Sequence, residues 1–166
     1  MSAAQKPKAS HPFMDREVLA NLTSGVVQTL KAMAGLDAIF EKPHVSNNWK
    51  APDEISVFLN LDTDPYKGQI FFHFNKNIAK TIIETMIGSP VDENSNDILD
   101  GVGEISNIFY GATKTKLNEM GFKLQIAAPH PYFTKDLPPR VGNAISMVIP
   151  FNINKAPCYI EIVIAT

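Results

Sequence analysis

Residues 97–130 read DILDGVGEISNIFYGATKTKLNEMGFKLQIAAPH, and residues 11–44 read HPFMDREVLANLTSGVVQTLKAMAGLDAIFEKPH. With a shift of 86 (107 less 21), Asn21 falls on Asn107, Gly25 on Gly111, Thr29 on Thr115, Gly35 on Gly121, Pro43 on Pro129 and His44 on His130. Average residue usage gives only about two such identities over about thirty positions. Each copy carries apolar residues at three- and four-residue steps, the spacing of an amphipathic helix, and then a glycine able to stop it in the left-handed conformation. The chain therefore reads as a duplicated unit.

Outward from these copies, the first helix spans Met14 to Ala34, with Val18, Leu19, Leu22, Val26, Leu30 and Met33 as its apolar stripe. Strands follow at Ile39 to Ser46, Glu54 to Leu61 and Gln69 to Phe74, the last two separated by the turn residues Asp62, Asp64, Pro65 and Gly68. That cluster lacks the glycine position and closing glutamate of a calcium loop, so it reads as a turn. Asn75 caps a short helix from Lys76 to Ile87, stopped by Gly88. The second long helix runs from Asn96 or Asp97 to Met120. Strands at Phe122 to Ala127, Ala144 to Phe151 and Tyr159 to Ala165 complete the order, with a long loop holding Pro129, Pro131, Pro138 and Pro139 between the first two. The predicted fold is α/β (α+β) in two layers. Two long helices cover one face of a mostly antiparallel six-stranded sheet, with an internal pseudo-twofold repeat.

A length of 166 residues predicts one domain, placed at 13–166 behind a disordered N-terminus at 1–12. That terminus holds Lys6, Lys8 and two prolines but no apolar run, so it is neither signal peptide nor anchor. With no segment of spanning length, the expectation is a cytoplasmic protein without a membrane partner. Fifteen Lys and Arg against seventeen Asp and Glu leave a net charge of -2, which argues against nucleic acid as a partner. The single cysteine, Cys158, lies in an apolar run and reads as a small buried hydrophobe.

On the second long helix, steps of 100° place Ile98, Val102, Ile105, Phe109 and Ala112 on the side facing the sheet. Asp100, Glu104, Asn107, Gly111 and Lys114 form the opposite ridge. Most such ridges are solvated faces. Gly103 and Gly111 are costly inside a helix, at about 1 kcal/mol each relative to alanine, and they flank Glu104 and Asn107, which suits close approach by another molecule. Asparagine is a poor helix former, but its amide offers a donor and an acceptor that can hold a water in a chosen direction.

The pattern Asp100-x-x-x-Glu104-x-x-Asn107, with Pro129 twenty-two residues after the asparagine, resembles that of the CheC and CheX chemotaxis phosphatases. Those proteins remove phosphate from the phosphorylated response regulator CheY. The resemblance extends from Pro12 to the C-terminus and is closer to the CheX type. The first copy keeps Asn21 and Pro43 but has Val18 and Met14 where Glu and Asp belong, so one site per chain is expected. It implies that Asn107 positions the attacking water and that Glu104 docks on a lysine of the regulator. Asp100, Gly103, Gly111 and Lys114 would add partner contacts, and Pro129 would shape the strand end beneath the ridge. The protein would need no metal or cofactor of its own, because the regulator supplies Mg²⁺. A phosphorylated CheY-like partner and a homodimer are implied, the latter joined through Tyr159 to Ala165. The alternative is a regulator-binding module that keeps this surface without turnover. A hydrolase centred on His44, His73 or His130 lacks a serine or cysteine in a nucleophile turn.

Overall fold

Asp15 fixes the start of the first long helix, α1 (Arg16–Ala34): its carboxylate accepts from the backbone N–H of Glu17 at 2.7 Å and of Val18 at 3.4 Å. Gly35, at φ 63°, ends it. Met14, expected inside the helix, belongs instead to a 3-10 turn, Pro12–Met14, whose Pro12 and Phe13 are buried. The computed structural model describes residues 11–52, 54–62, 67–124, 127–136 and 145–164, so most of the N-terminus read as disordered lies outside the described residues. Ordered structure already includes His11 and Pro12, inside the span expected to be disordered.

After α1 come β1 (Ala38–Phe40), β2 (His44–Ser46), β3 (Ile55–Asn60), β4 (Gly68–Phe74), α2 (Lys76–Ile87), α3 (Asn96–Glu119), β5 (His130–Phe133), β6 (Ile145–Ile153) and β7 (Ala156–Ile164). All strand pairs are antiparallel, in the order β1-β6-β7-β4-β3-β5, with β2 also on β6. Among the described residues the sheet has seven strands instead of six. One expected strand, Ile39 to Ser46, divides into β1 and β2, and both halves lie on β6. Another, Phe122 to Ala127, does not form in its described residues, 122–124 and 127; Gln125 and Ile126 lie outside them. The strand sits later, at β5, within the segment read as a proline loop. Pro131 is tolerated there because, among the described residues, β5 pairs with β3 alone and its other edge needs no ladder hydrogen bond. Asn154 and Lys155, at φ 50° and 64°, close the β6–β7 hairpin in the left-handed region that two-residue turns favour. Strand β7 therefore begins before Tyr159 and includes Pro157.

Helices cover one face of the sheet. Val18, Leu22, Val26 and Leu30 of α1 and Ile98, Val102, Ile105 and Phe109 of α3 join Val57, Ile70, Phe72, Ile149, Phe151, Ile160 and Ile162 in one core, to which Cys158 belongs. The opposite face holds a smaller cluster of Phe58, Phe71 and Val163 against Tyr132.

The strand order is symmetric about the β7–β4 pair, as an internal twofold requires. His44 stands opposite Val148 as His130 stands opposite Phe58, and Ser46 opposite Ser146 as Tyr132 opposite Ser56. The shift of 86 therefore relates β2 to β5, while the strands they pair with, β3 and β6, are related by 90 (146 less 56). It fails in the helices. Buried Val18, Leu22, Val26 and Leu30 match buried Ile105, Phe109, Thr113 and Leu117, a shift of 87 (105 less 18). The crossing of α1 and α3 agrees. Near a twofold axis a residue meets its own counterpart, and a methyl group on Gly25 would lie 4.0 Å from the Ala112 Cβ, whereas one on Gly111 meets nothing within 4 Å. The helix ends absorb the difference. Leu36 N–H donates to the Leu30 carbonyl, six residues back, whereas Phe122 N–H donates to the Leu117 carbonyl, five back.

Candidate functional site

Helix α3 presents the site. Asp97 lies in its first turn, where a carboxylate complements the helix dipole. Asp100, Glu104, Asn107 and Gly111 are exposed along its outer side, as their spacing predicted, and Lys114 is half-buried. Asp100, Glu104 and Asn107 make no hydrogen bond or ion pair among the described residues, in contrast to the exposed carboxylates that cap helices or pair with lysines elsewhere. Three polar groups thus stand one turn apart on a rigid mount with nothing to hold.

The inner side is wider than the expected stripe. It takes in Ser106, Tyr110, Thr113 and Leu117, whereas Ala112 is exposed. Burial pushes the Tyr110 phenol above its ordinary pKa.

The two glycines assigned to a partner separate. Gly111 is open: an added Cβ meets nothing within 4 Å. Gly103 is buried, and its Cβ position lies 3.4 Å from the Pro131 ring, so its missing side chain serves the packing of α3 on β5. Pro129 is half-buried and directly precedes the start of β5, instead of closing the strand expected at Phe122 to Ala127. The proline that touches the helix under the ridge is Pro131, which sequence reading left in the loop.

Asn21 is not the counterpart of Asn107. With the helices shifted by 87, Asn21 corresponds to Ile108, Ala20 to Asn107 and Glu17 to Glu104. Asn21 is half-buried and its amide oxygen has no hydrogen-bond partner, while Asn107 is exposed. Asn21, Gly25 and Thr29 therefore stand one residue out of register with Asn107, Gly111 and Thr115 in the helices. Those beyond the helices, at Gly35, Pro43 and His44, are structural equivalents.

A second cluster escaped the sequence reading. On the sheet face away from the helices, Ser56 Oγ stands 2.7 Å from His73 Nδ1 and 2.8 Å from Thr134 Oγ1, and His73 Nε2 stands 2.9 Å from Glu161 Oε2. The Ser146 hydroxyl donates to Glu161 Oε1 at 2.6 Å. The spacing is that of a nucleophile triad, but Ser56, His73 and Glu161 are each 0% exposed and Trp49 packs against His73. No substrate reaches them in this arrangement, so the cluster reads as a buried polar network. Its members come from four strands, and nothing in their spacing along the chain announces their meeting.

The family model described as "Chemotaxis phosphatase CheX" matches residues 55–152. A curated protein, "CheY-P phosphatase CheX" of Thermotoga maritima, is 22% identical over 125 residues, covering 75% of this chain and 80% of its own. A crystal structure of a chemotaxis protein CheX from Desulfovibrio desulfuricans superposes with a TM-score of 0.76 at 25% identity, covering 90% of this chain and 99% of that one. The CheX-CheY-BeF3-Mg²⁺ complex from Borrelia burgdorferi superposes with a TM-score of 0.72 at 17% identity, covering 90% and 98%.

Proposed function

The chain belongs to the chemotaxis phosphatase CheX family, and from this premise we propose that it hydrolyses the aspartyl phosphate of a CheY-type response regulator through the outer side of α3. The observation that carries this reading is the set of Asp100, Glu104 and Asn107, exposed, unpaired and one turn apart on a rigid helix. The Asn107 amide accepts a hydrogen bond from a water and aims its lone pair in line at phosphorus. The new P–O bond forms as the aspartyl O–P bond breaks. The electron pair leaves on the regulator's carboxylate, and the proton of the water ends on inorganic phosphate. Glu104 docks on a lysine of the regulator, Asp100 adds a contact at the rim, Lys114 flanks the ridge, and open Gly111 lets the partner's backbone approach. Mg²⁺ belongs to the regulator's side of the contact, where it balances the phosphoryl charge. No helix among the described residues is long and apolar enough to cross a membrane.

The reading includes a homodimer, but its contact moves. Strand β7, proposed from the sequence as the joining edge, lies mid-sheet between β6 and β4 and has no free side. The β1–β2 edge is the place for a second copy, with Ile39 68% and Val45 60% exposed. A monomeric mass by light scattering at micromolar concentration would reject it.

The test of function is the decay of phosphorylated CheY with and without this protein. Accelerated decay is expected, whereas tight binding at an unchanged decay rate would make it a docking module.

A further inference from the structure

Several lysines of the fold are matched by carboxylates: Lys31 by Asp37, Lys80 by Glu84 and Lys116 by Glu17. Lys76, the first residue of α2, is not. It is half-buried, yet its ammonium has no carboxylate partner among the described residues. Instead it donates to the side-chain oxygen of Asn94 at 2.6 Å and lies 6.0 Å from the centre of the Phe133 ring. Those two contacts hold a cation at the wall of a cavity of about 550 Å³, formed where the start of α2, the turn before α3 and the end of β5 meet. Glu54, Thr134 and Lys135 complete its lining.

We propose that this cavity is a binding site for a small aromatic carboxylate. The ring of the ligand lies against Phe133, and its carboxylate accepts from the Lys76 ammonium and the Asn94 amide. Because the Asn94 oxygen is taken by Lys76, its amide nitrogen is left to donate. Lys76 and Lys135 against Glu54 leave the lining with an excess of one positive charge.

The walls are fixed before a ligand arrives. Glu54 Oε2 accepts from the Lys76 backbone N–H at 2.9 Å, and the Glu54 carbonyl accepts from Thr134 N–H at 2.8 Å. Thr134 Oγ1 in turn stands 2.8 Å from Ser56 Oγ, which ties this corner to the polar network of the sheet. An aromatic wall with a few convergent polar groups is the build of a small-molecule site, and the volume falls within the range of about 300–1,000 Å³ that such sites span. Glu54 lies at the exposed rim, where it repels a carboxylate and so restricts it to the donors of Lys76 and Asn94. None of Asp100, Glu104 and Asn107 lines the cavity, so this inference stands apart from the reading of α3.

The experiment titrates the natural chain with naphthoate, with the neutral naphthylmethanol and with acetate, and follows backbone amide shifts by nuclear magnetic resonance. Naphthoate should give saturable shifts at Lys76, Asn94, Thr134 and Lys135 at millimolar concentration or below. Naphthylmethanol, which keeps the rings and loses the charge, should bind about tenfold more weakly, and acetate should give no saturable shift. Lys76→Gln keeps the backbone bond to Glu54 and should weaken naphthoate by about tenfold, to the level of the alcohol. Phe133→Leu should weaken both ring compounds alike. The inference is overturned if naphthoate gives no saturable shift at these amides, or binds no better than naphthylmethanol. Undiminished naphthoate binding by Lys76→Gln at an unchanged unfolding midpoint would overturn it as well. The comparison of naphthoate with the alcohol uses the natural chain alone and does not depend on either variant folding.

Discussion

Glu104 and Asn107 are set apart by what they do not do. Glu17, Asp15, Asp37, Glu41 and Glu54 each pair with a lysine, accept from an amide or cap a backbone, whereas the α3 ridge has no such partner among the described residues. Side chains free of internal partners have no internal bond to break when a ligand engages them. Glu104→Lys should weaken binding of the phosphorylated regulator more than Glu104→Gln does, because it opposes the docking lysine with a like charge. Equal affinities by titration calorimetry would remove Glu104 from the interface. Gly111 offers a second residue-scale test. Since a Cβ there meets nothing, Gly111→Ala should raise stability by about 1 kcal/mol, through helix propensity alone. Gly111→Trp should fold as well but obstruct docking, and undiminished turnover by that variant would place the partner elsewhere. These residues were legible in the sequence because helix geometry turns spacing into facing. Pro131 was not, since its contact with Gly103 joins elements distant along the chain.

At the scale of elements, the crossing of α1 over α3 depends on Gly25. A methyl group there would stand 3.2 Å from the Phe109 carbonyl oxygen, a backbone atom that moves only if the helix moves. Gly25→Val should cost about 1–3 kcal/mol by forcing the helices apart, and an unchanged urea midpoint would contradict this account of the crossing. Helix extents followed from apolar period and caps: Asn75 accepts from Asn77 and Ile78 N–H as expected, and Gly35 and Gly88 stop their helices at positive φ. The strands were less legible. Pro131 read as loop because the sequence does not say which strand will be an edge. The repeat was detected, yet its register was misplaced in the helices, because identities report letters and the slip at the helix ends is visible only in hydrogen bonds. Asn21→Ala accordingly should leave turnover within about twofold of the natural chain, and a loss as deep as that of Asn107→Ala would restore Asn21 to a catalytic role.

The whole molecule divides its labour between the sheet's two faces. One packs against the helices that carry the ridge. The other encloses the network of Ser56, His73, Glu161 and Ser146, which ties β3, β4, β7 and β6 together. Removing His73 takes one hydrogen bond each from Ser56 and Glu161 in a buried setting, so His73→Ala should lower stability by about 3 kcal/mol while the folded protein keeps its turnover. Lost turnover at an unchanged unfolding midpoint would make the network catalytic after all.

In the proposed mechanism one amide on α3 holds the attacking water in line. Its most direct test is single-turnover decay of phosphorylated CheY at saturating Asn107→Ala protein, beside the natural chain. A rate lower by about a hundredfold is expected, with fold and regulator affinity retained. An unchanged rate in a folded variant would contradict it.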